Sequence, residues 1–568
     1  IMNRNTELRF GQIPKIHQKR SKFNMSNSVK TTMNVGDVIP IQVWEILPGD
    51  TVEMDMAEVI RMATPIYPVM DNMVYDIYFY YIPSRLTWIH FEEFWGQNDN
   101  PWAQAIEYEI PQIEAPETGW AEGTIADYMG IPTGITGFTV NALPFRGYAK
   151  IMSDWFRDEN LKYACHMYND ETTRTGTNGT DYVTDIELGG MPYKAARLPD
   201  LFSKALPAPQ KGQEVTIPLG TRAPVYTQED DWYKTGDAAT RSHYMAIDTN
   251  GKIENYTSGQ NYTPYMGIAG DKSYGIFGVG APGITPAEPN HWIVASNLWA
   301  DLSNATPSSI NALRTAFAVQ RFFEAAARFG TRYIEFIRGV FGTESSDARL
   351  QRSEYIGGVR FPINMDQIMQ TSSTDATTPQ GNAAGFSVTH HRDSMFTKSF
   401  EEHGYLYCLG VARVEHSYQQ GLDKMWSRKK WSSFYNPFFA NLGEMPLLNQ
   451  EIFIQSPAEG ETDPNPENEE VFGYQEAWAD YRYRPNRVTG AMRSNAASGS
   501  LDAWHYADDY ETLPTLGSTW IDEPVENVDR TLAVSSSLSH QLIGDFYFKC
   551  SFTRCMPVYS VPGLIDHV

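Results

Sequence analysis

The stretch Phe546-Tyr547-Phe548-Lys549-Cys550-Ser551-Phe552-Thr553 decides the fold class of this chain. Its positions alternate between two sets of side chains, which is the period of a strand with one buried face. Residues 75–81 alternate in the same way, and residues 38–47 and 405–416 do so more weakly. These strands lie far apart along the chain, so they must pair across long connections, as in Greek-key and jelly-roll folds.

The composition also favours a mainly β protein. The chain has 568 residues, of which 13% are aromatic, with 43 glycines and 34 prolines. Aromatic residues are common in strands, and glycine and proline are common in the turns between them. The sequence therefore predicts many short strands joined by turns and long loops.

Three segments have the spacing of helices and interrupt the strand pattern. The first covers 86–95 and stops at Gly96, and the second begins at Pro144. The third runs from about Ser309 to Arg328, with Ser308 or Ser309 as its cap and Gly330 at its end. We expect these helices to pack over the loops of a β framework.

Charge is distributed unevenly along the chain. The formal net charge is −24, which argues against wrapping of nucleic acid by the whole surface. Residues 1–36 are basic and form a predicted N-terminal arm; four of its cations are candidates to face a polyanion such as a nucleic acid, namely Lys15, Lys19, Arg20 and Lys22. The alternative is a solvated terminus without a binding role.

A long excursion interrupts the framework at 210–304. It contains the acidic run Glu229-Asp230-Asp231 and a glycine-rich piece at 275–283, with little sustained periodicity. Long segments of this kind usually lie at the surface and often carry function. We therefore expect an insertion at 210–304 in a core formed by 37–209 and 305–568.

Motifs for catalysis or cofactor binding are weak. Residues 278–283 match G-x-G-x-x-G, but Pro282, Pro286 and Pro289 oppose the helix that a dinucleotide site needs, so we expect a loop. His390-His391 is a poor metal pair and more typical of a polar surface. The four cysteines form no C-x-x-C pair, and Cys550 and Cys555 are expected on opposite faces of a strand. We expect no enzyme activity, no cofactor and no metal.

The start of the chain is polar, and no apolar run approaches about 18 residues. The sequence therefore predicts a soluble protein made in the cytoplasm, without a membrane span. An alternative function is a carbohydrate-binding β-protein or glycoside hydrolase, although no pair of opposed carboxylates identifies itself.

Several stretches in order along the chain resemble the major capsid family of the microviruses, in its gokushovirus branch. They are 76–86, 94–96, 143–146, 155–161, 205–212, 328–333, 346–352, 418–421, 425–428, 472–476 and 481–485. Phe329 and Ala208 depart from the family pattern and leave local loop geometry open.

This resemblance implies an eight-stranded antiparallel jelly roll with long inserted loops and several helices. It implies a T=1 icosahedral shell of about sixty copies around a circular single-stranded DNA genome, assembled in the cytoplasm of a bacterial host. Implied partners are other copies of the chain, the genome, minor capsid or DNA-packaging proteins and a host receptor. The insertion is then expected near the threefold axes, where Trp232, Tyr256, Tyr262 and Tyr265 are candidates for host attachment.

Overall fold

The computed structural model describes residues 19–97, 108–213 and 310–559, apart from gaps at 331, 373, 375–379, 382, 458–462 and 498. Between 214 and 309 it describes residue 215 and the backbone of six short strands. The chain divides into two compact units. The larger unit is Ile1–Lys211 with Glu324–Val568, and the smaller unit is Gly212–Phe323.

The described part of the chain is mainly β. Its strands, in chain order, are β1 (Ser21–Asn24), β2 (Asn27–Met33), β3 (Asp37–Ile46), β4 (Thr51–Met62), β5 (Met73–Pro83), β6 (Gln112–Glu114), β7 (Thr139–Asn141), β8 (Arg174–Thr175), β9 (Tyr193–Lys194), β10 (Val225–Thr227), β11 (Met245–Asp248), β12 (Pro264–Ile268), β13 (Tyr274–Gly278), β14 (Trp292–Ala295), β15 (Leu298–Ala300), β16 (Glu354–Pro362), β17 (Asp366–Met369), β18 (Ala383–Phe386), β19 (Thr389–Ser399), β20 (Gly404–Val414), β21 (Ser417–Tyr418), β22 (Glu444–Leu448), β23 (Val471–Glu476), β24 (Asn486–Arg487) and β25 (Leu542–Arg554).

Most of the helices are short. They are α1 (Phe91–Phe94), α2 (Ile125–Tyr128), α3 (Leu143–Ile151), α4 (Ile310–Phe329), α5 (Tyr333–Phe336), α6 (Lys424–Ser427), α7 (Asn449–Ile452), α8 (Ala479–Arg482) and α9 (Glu526–Asp529). Single π-helical turns at Met152–Phe156 and Ile337–Phe341 extend α3 and α5. Short 3-10 helices occur at Ser84–Leu86, Ile186–Leu188, Trp431–Ser433, Pro437–Phe439, Pro466–Glu469, Gly490–Met492 and Asp502–Trp504.

The first large sheet contains the stretch that decided the fold class. Its order is β1–β25–β4–β19, and β2 also pairs with β25. Strands β1 and β2 therefore pair with successive parts of β25, on the same side of that strand. All of these pairings are antiparallel. Phe546, Phe548, Cys550 and Phe552 are buried on one face, as their alternation predicted. Cys555 is exposed and Cys550 is buried, and neither forms a disulfide.

The second large sheet has the order β16–β5–β20–β3–β9 and is also antiparallel. The segments predicted as strands at 38–47, 75–81 and 405–416 form β3, β5 and β20. The three predictions are confirmed, because alternation is a local signal that survives tertiary packing.

The largest hydrophobic core joins inward-facing residues of both large sheets. Trp44 of β3 meets Phe548 of β25 edge to face, with ring centroids 5.0 Å apart. Phe79 of β5 meets Phe396 of β19 in the same geometry at 5.2 Å. Such contacts between strands of different sheets identify face-to-face packing of the two sheets.

A second core covers the other face of the second sheet. Tyr80, Tyr407 and Leu409 pack there against residues of the segment 113–195, including Trp120 and Phe145. Helix α3 has Pro144 in its first turn, as predicted. A Cβ at Gly147 would lie 2.2 Å from the Tyr407 hydroxyl oxygen, so this close approach of α3 to β20 requires glycine.

The predicted helix at 86–95 is wrong in its first half. Only Phe91–Phe94 is α-helical. The Thr87 carbonyl accepts a hydrogen bond from Arg146 Nη1 at 3.3 Å, and the Phe91 amide donates to Trp88 instead. An α-helix would need the Phe91 amide to donate to the Thr87 carbonyl, and this bond is replaced by the shorter-range bond to Trp88.

The longest predicted helix is confirmed as α4, which ends before Gly330 at a φ of +88°. The proposed caps Ser308 and Ser309 lie outside the described residues.

The smaller unit corrects the expectation of an irregular excursion. Its strands form three nested antiparallel pairs, β10 with β15, β11 with β14 and β12 with β13. The prediction of a loop at 278–283 is wrong for Gly278, which is the last residue of β13. Residues 279–283 lie outside the described residues. Strands this short carry too few residues to show a period in sequence.

The predicted boundaries differ from these elements in two places. Strands β1 and β2 lie inside the predicted basic arm 1–36, and they belong to the first sheet. The smaller unit Gly212–Phe323 overlaps the predicted insertion 210–304 and extends beyond it. The division into an arm, a core and an insertion stays a prediction.

Candidate functional surfaces

The outward side chains of the first sheet form one surface, here named the polar face. Its charged residues alternate with inward-facing core residues along β1, β2, β4, β19 and β25. They are five cations and three acids, Lys22, Lys30, Arg61, Arg392 and Lys549 with Glu53, Asp55 and Asp545. The formal balance of the polar face is therefore +2, whereas the whole chain carries −24.

Ion pairs cross the polar face between neighbouring strands. Lys22 contacts Glu53, and Lys549 Nζ lies 3.0 Å from Asp55. The hydrogen bond from Lys22 lowers the pKa of Glu53, and hydrogen bonds from Ser394 and Lys549 lower the pKa of Asp55. Exposed pairs of this kind are screened by water and contribute little to stability, so an external anion can compete for the lysines.

The four candidate DNA-facing cations lie in β1, an edge strand of this sheet, or precede β1 in the chain. Lys22 lies in β1, and Arg20 Nη2 donates to Thr51 Oγ1 at 3.1 Å and to the Thr553 carbonyl at 3.4 Å. Lys19 is exposed just before β1, whereas Lys15 lies outside the described residues. The structure thus brings Arg20 and Lys22 together, and the predicted contact with DNA stays a prediction.

A second candidate surface exposes several large apolar side chains beside the exposed cations Lys429 and Lys430, and we name these apolar side chains the aromatic surface. Its members are side chains of one segment that stand in solvent: Trp426, Trp431, Phe434, Phe438 and Leu442. Phe438 is 94% exposed and Trp431 is 75% exposed. Several large apolar side chains exposed within one short segment are typical of sites of interaction between proteins.

Several hydrogen bonds hold this segment in place. Asp423 caps α6 by accepting from the Met425 amide, and Arg428 Nε donates to the Ser433 carbonyl at 2.9 Å. Trp478 Nε1 donates to the Phe439 carbonyl at 2.8 Å. The aromatic surface is therefore built on a positioned backbone, which reduces the entropy lost when a partner binds. Sequence reasoning noted the aromatic surplus but did not locate this surface.

A buried ionic network joins four distant segments of the larger unit. Arg197 Nη1 lies 2.6 Å from Asp508, and His416 bridges Asp508 at 3.3 Å and Glu523 at 3.2 Å. Burial alone would lower the pKa of His416, but the carboxylates of Asp508 and Glu523 raise this pKa to about 10. His416 is therefore a cation at neutral pH. No local pattern in the sequence predicts this network, because its four residues lie at separate positions along the chain.

The His390-His391 pair differs from its sequence interpretation. Both residues lie in β19, and the His391 ring stacks on Phe361 with centroids 4.6 Å apart. His391 Nδ1 lies 2.5 Å from the carboxylate of Glu58, an acid on the core side of β4. Burial raises the pKa of Glu58 to about 7. The expectation of a polar surface is therefore wrong for His391, because the register pairs it with a buried acid.

The candidate attachment residues fall mostly beyond what is described. Tyr265 lies in β12, where its register partner is Phe277. Trp232, Tyr256 and Tyr262 lie outside the described residues. Their predicted role in host attachment stays a prediction.

Among the described residues, no group of three or more His, Cys, Asp or Glu side chains is arranged to hold a metal ion. Within the same residues, no helix has the length and apolar character needed to cross a membrane.

Comparison with known proteins gives the family. The family described as "Capsid protein (F protein)" matches residues 11–564. The chain is 42% identical to the capsid protein VP1 of Spiroplasma virus 4 over 552 residues, which cover 96% of each chain. It is 39% identical to capsid protein VP1 of Bdellovibrio phage phiMH2K, over 99% of this chain and 98% of that protein. It is 36% identical to capsid protein VP1 of Chlamydia phage 1, over 98% of this chain and 97% of that protein.

These matches span nearly the whole chain and confirm the resemblance to microvirus capsid proteins. They identify a structural component of the virion, not an enzyme, so the alternative of a carbohydrate-binding protein or glycoside hydrolase is not retained. The chain belongs to the phage capsid protein (F protein) family.

Proposed function

We propose that about sixty copies of this capsid protein close a T=1 icosahedral shell around a circular single-stranded DNA genome. The observation that carries the proposal is the aromatic surface on a member of a capsid family. A closed shell repeats the same contacts around its symmetry axes, and interface centres are rich in Trp, Phe and Tyr. A second copy of the chain is therefore the partner that covers Trp431 and Phe438.

The framework of the shell protein is an eight-stranded jelly roll in this proposal. Support comes from the strand orders, with β1 and β2 counted as one edge strand of the first sheet. The first sheet is then β2–β25–β4–β19, and the second is β16–β5–β20–β3 with β9 as a short addition. From β2 to β25, successive framework strands change sheet at every step except β5 to β16, as in two interleaved Greek keys.

The polar face and the basic arm turn toward the genome in this proposal. The formal charge of the polar face is +2, whereas the net charge of the whole chain is −24. This local excess of cations supports the orientation toward the negatively charged genome. Lys15, Lys19, Arg20 and Lys22 then contribute phosphate contacts, whose strength falls steeply with salt.

The insertion 210–304 faces outward near the threefold axes and contacts a host receptor in this proposal. Its separation as a compact unit supports a projecting element, and Trp232, Tyr256, Tyr262 and Tyr265 are the side chains proposed for attachment. Minor capsid or DNA-packaging proteins are further partners.

Electron microscopy and sedimentation of the expressed protein test the proposal directly. We expect uniform closed particles of about sixty copies that protect single-stranded DNA from nuclease when the genome is present. A discrete small oligomer without protected DNA would contradict it.

A further inference from the structure

A cleft of about 380 Å³ opens beside the segment that carries the aromatic surface. This volume lies in the usual range of small-molecule sites, about 300–1,000 Å³. Leu201, Phe202 and Tyr418 contribute to its lining from a third apolar core. Six cations also line it, and we name it the basic cleft: Lys424, Arg428, Arg482, Arg484, Arg487 and Arg493.

The positive charge of the basic cleft is not balanced by its own acids. Only Asp423, Glu451 and Asp480 line it, so the formal balance is +3. Asp423 is shared by Arg487 at 2.9 Å and Arg484 at 3.8 Å. The Arg493 guanidinium makes no ion pair or hydrogen bond with any residue that the structure describes. Arginines that share one carboxylate or have none keep donors for an external anion.

Two half-exposed tyrosines stand at the same cleft. Tyr481 is 52% exposed and Tyr483 is 50% exposed. The guanidinium of Arg428 lies 4.4 Å from the Tyr481 ring centroid and covers one side of that ring. Within the described part of the chain, the Tyr483 ring makes no stacking contact with another ring and no cation–π contact. Because the side chain is half-exposed, a planar group from outside can reach this ring.

We propose that the basic cleft binds one nucleotide unit of unpaired DNA, with its phosphate on Arg484, Arg487 and Arg493 and its base stacked on Tyr483. The guanidinium fork matches the oxygens of a phosphate, and a base can stack on any aromatic face without sequence preference. An acidic peptide would satisfy the arginines but leave the tyrosine ring unused. This inference rests on the proposed function, because it assumes that the chain encloses single-stranded DNA.

The cleft also gives a role to two stretches that sequence analysis noted without assigning one. Residues 425–428 and 481–485 lie far apart in the chain, and parts of both line the cleft. The parallel pairing of β21 with β24 places Arg487 opposite Tyr418 and so brings the second stretch to the cleft.

Ultraviolet cross-linking of DNA inside assembled particles, followed by mass spectrometry, tests the site. We expect DNA-linked peptides that contain Tyr481 or Tyr483, and their loss in Tyr483→Leu particles. Cross-links found only in other segments would overturn the inference. So would chemical cross-linking that finds an acidic segment of a second copy in the cleft.

Binding of a fluorescent twelve-residue oligothymidylate to the purified full-length chain separates the two kinds of contact. Arg484→Ala with Arg493→Ala should reduce the slope of log affinity against log salt by about 0.7, since both arginines contact the same phosphate and one phosphate contact on a single strand accounts for about 0.7. Tyr483→Leu should weaken binding about tenfold and leave the salt slope unchanged.

A matched pair of exposed arginines outside the cleft, Arg338→Ala with Arg349→Ala, should change neither quantity. An equal loss in this control would overturn the site, because general charge would then explain binding.

Competition distinguishes a nucleotide from free phosphate as the ligand. Thymidine 5′-monophosphate should displace the oligonucleotide better than inorganic phosphate, and Tyr483→Leu should remove that difference. Equal competition by both in the unaltered protein would overturn the nucleotide assignment.

Failure of this inference is distinguishable from failure of the proposed function. If particles form and protect DNA while cross-links map elsewhere, only the cleft assignment is wrong. If no closed particle protects DNA, the proposed function itself is wrong.

Discussion

Arg197 and Asp508 form an ion pair of 2.6 Å although 311 residues separate them, and both side chains are buried. The pair lies in the network that includes His416 and Glu523. Loss of one member of a buried pair leaves an uncompensated charge, which is costlier than the pair itself is stabilising.

Arg197→Met should therefore lower the free energy of unfolding by about 3–5 kcal/mol. Urea unfolding of the unassembled chain, followed by tryptophan fluorescence, measures the change. The control Arg338→Met removes the exposed pair with Glu344 and should change stability by less than about 1 kcal/mol. Equal effects would show that the buried network does not hold these segments together.

Glu58→Gln should change how stability depends on pH. The pKa of Glu58 is raised from 4.5 to about 7 by burial, against the opposing effect of His391. Between pH 4.5 and pH 7 the carboxyl group of Glu58 is therefore protonated in the folded chain and ionised in the unfolded chain. The stability that this group contributes is present below pH 4.5 and is lost as the pH rises to 7.

The difference in unfolding free energy between Glu58→Gln and the unaltered chain should then shift by about 2–3 kcal/mol in favour of the variant from pH 4.5 to pH 7. Denaturant titrations at several pH values measure this difference. Parallel stability curves would contradict the raised pKa.

Phe438→Ser should abolish or strongly reduce particle formation and leave the isolated fold intact. Phe438 is almost fully exposed, so its removal should change the free energy of unfolding by less than about 0.5 kcal/mol. Particle yield on a sucrose gradient and thermal unfolding measure the two effects. Tyr163→Ser, at an aromatic residue 80% exposed elsewhere, should assemble normally. Normal assembly of Phe438→Ser would remove the aromatic surface from the proposed contacts.

Lys15→Gln combined with Lys19→Gln should reduce the nuclease-protected DNA in each particle, because two phosphate contacts are lost. Both positions precede β1 in the chain, which begins at Ser21. Lys204→Gln combined with Arg338→Gln removes two exposed cations elsewhere and serves as the control. Unchanged DNA content relative to this control would refute a genome-facing arm.

Replacement of residues 228–297 by Asn-Gly should give particles that no longer adsorb to host cells. Thr227 and Leu298 are register partners of β10 and β15, so a two-residue hairpin turn can join them. Particle yield and adsorption to cells are measured together. Lost assembly would make the insertion a structural clasp, and unchanged adsorption would place host attachment elsewhere.

The sequence alone determined the class of the fold and several of its elements. β3, β5, β20 and β25 were visible because inward and outward side chains alternate within each strand. Helices α3 and α4 were visible because Pro144 and Gly330 mark their ends. These signals are local, and neighbouring residues suffice to generate them.

The tertiary structure decided which strands pair and which charged groups meet. Ser21 pairs with Arg554, and no local pattern links two residues 533 positions apart. The helix expected at 86–95 is limited to Phe91–Phe94, where the Thr87 carbonyl accepts from the distant Arg146, and the histidine expected at the surface at 391 is paired with a buried acid. The basic cleft likewise joins segments that are separate in sequence. Such contacts depend on the closure of long loops and on burial, which only the folded chain defines.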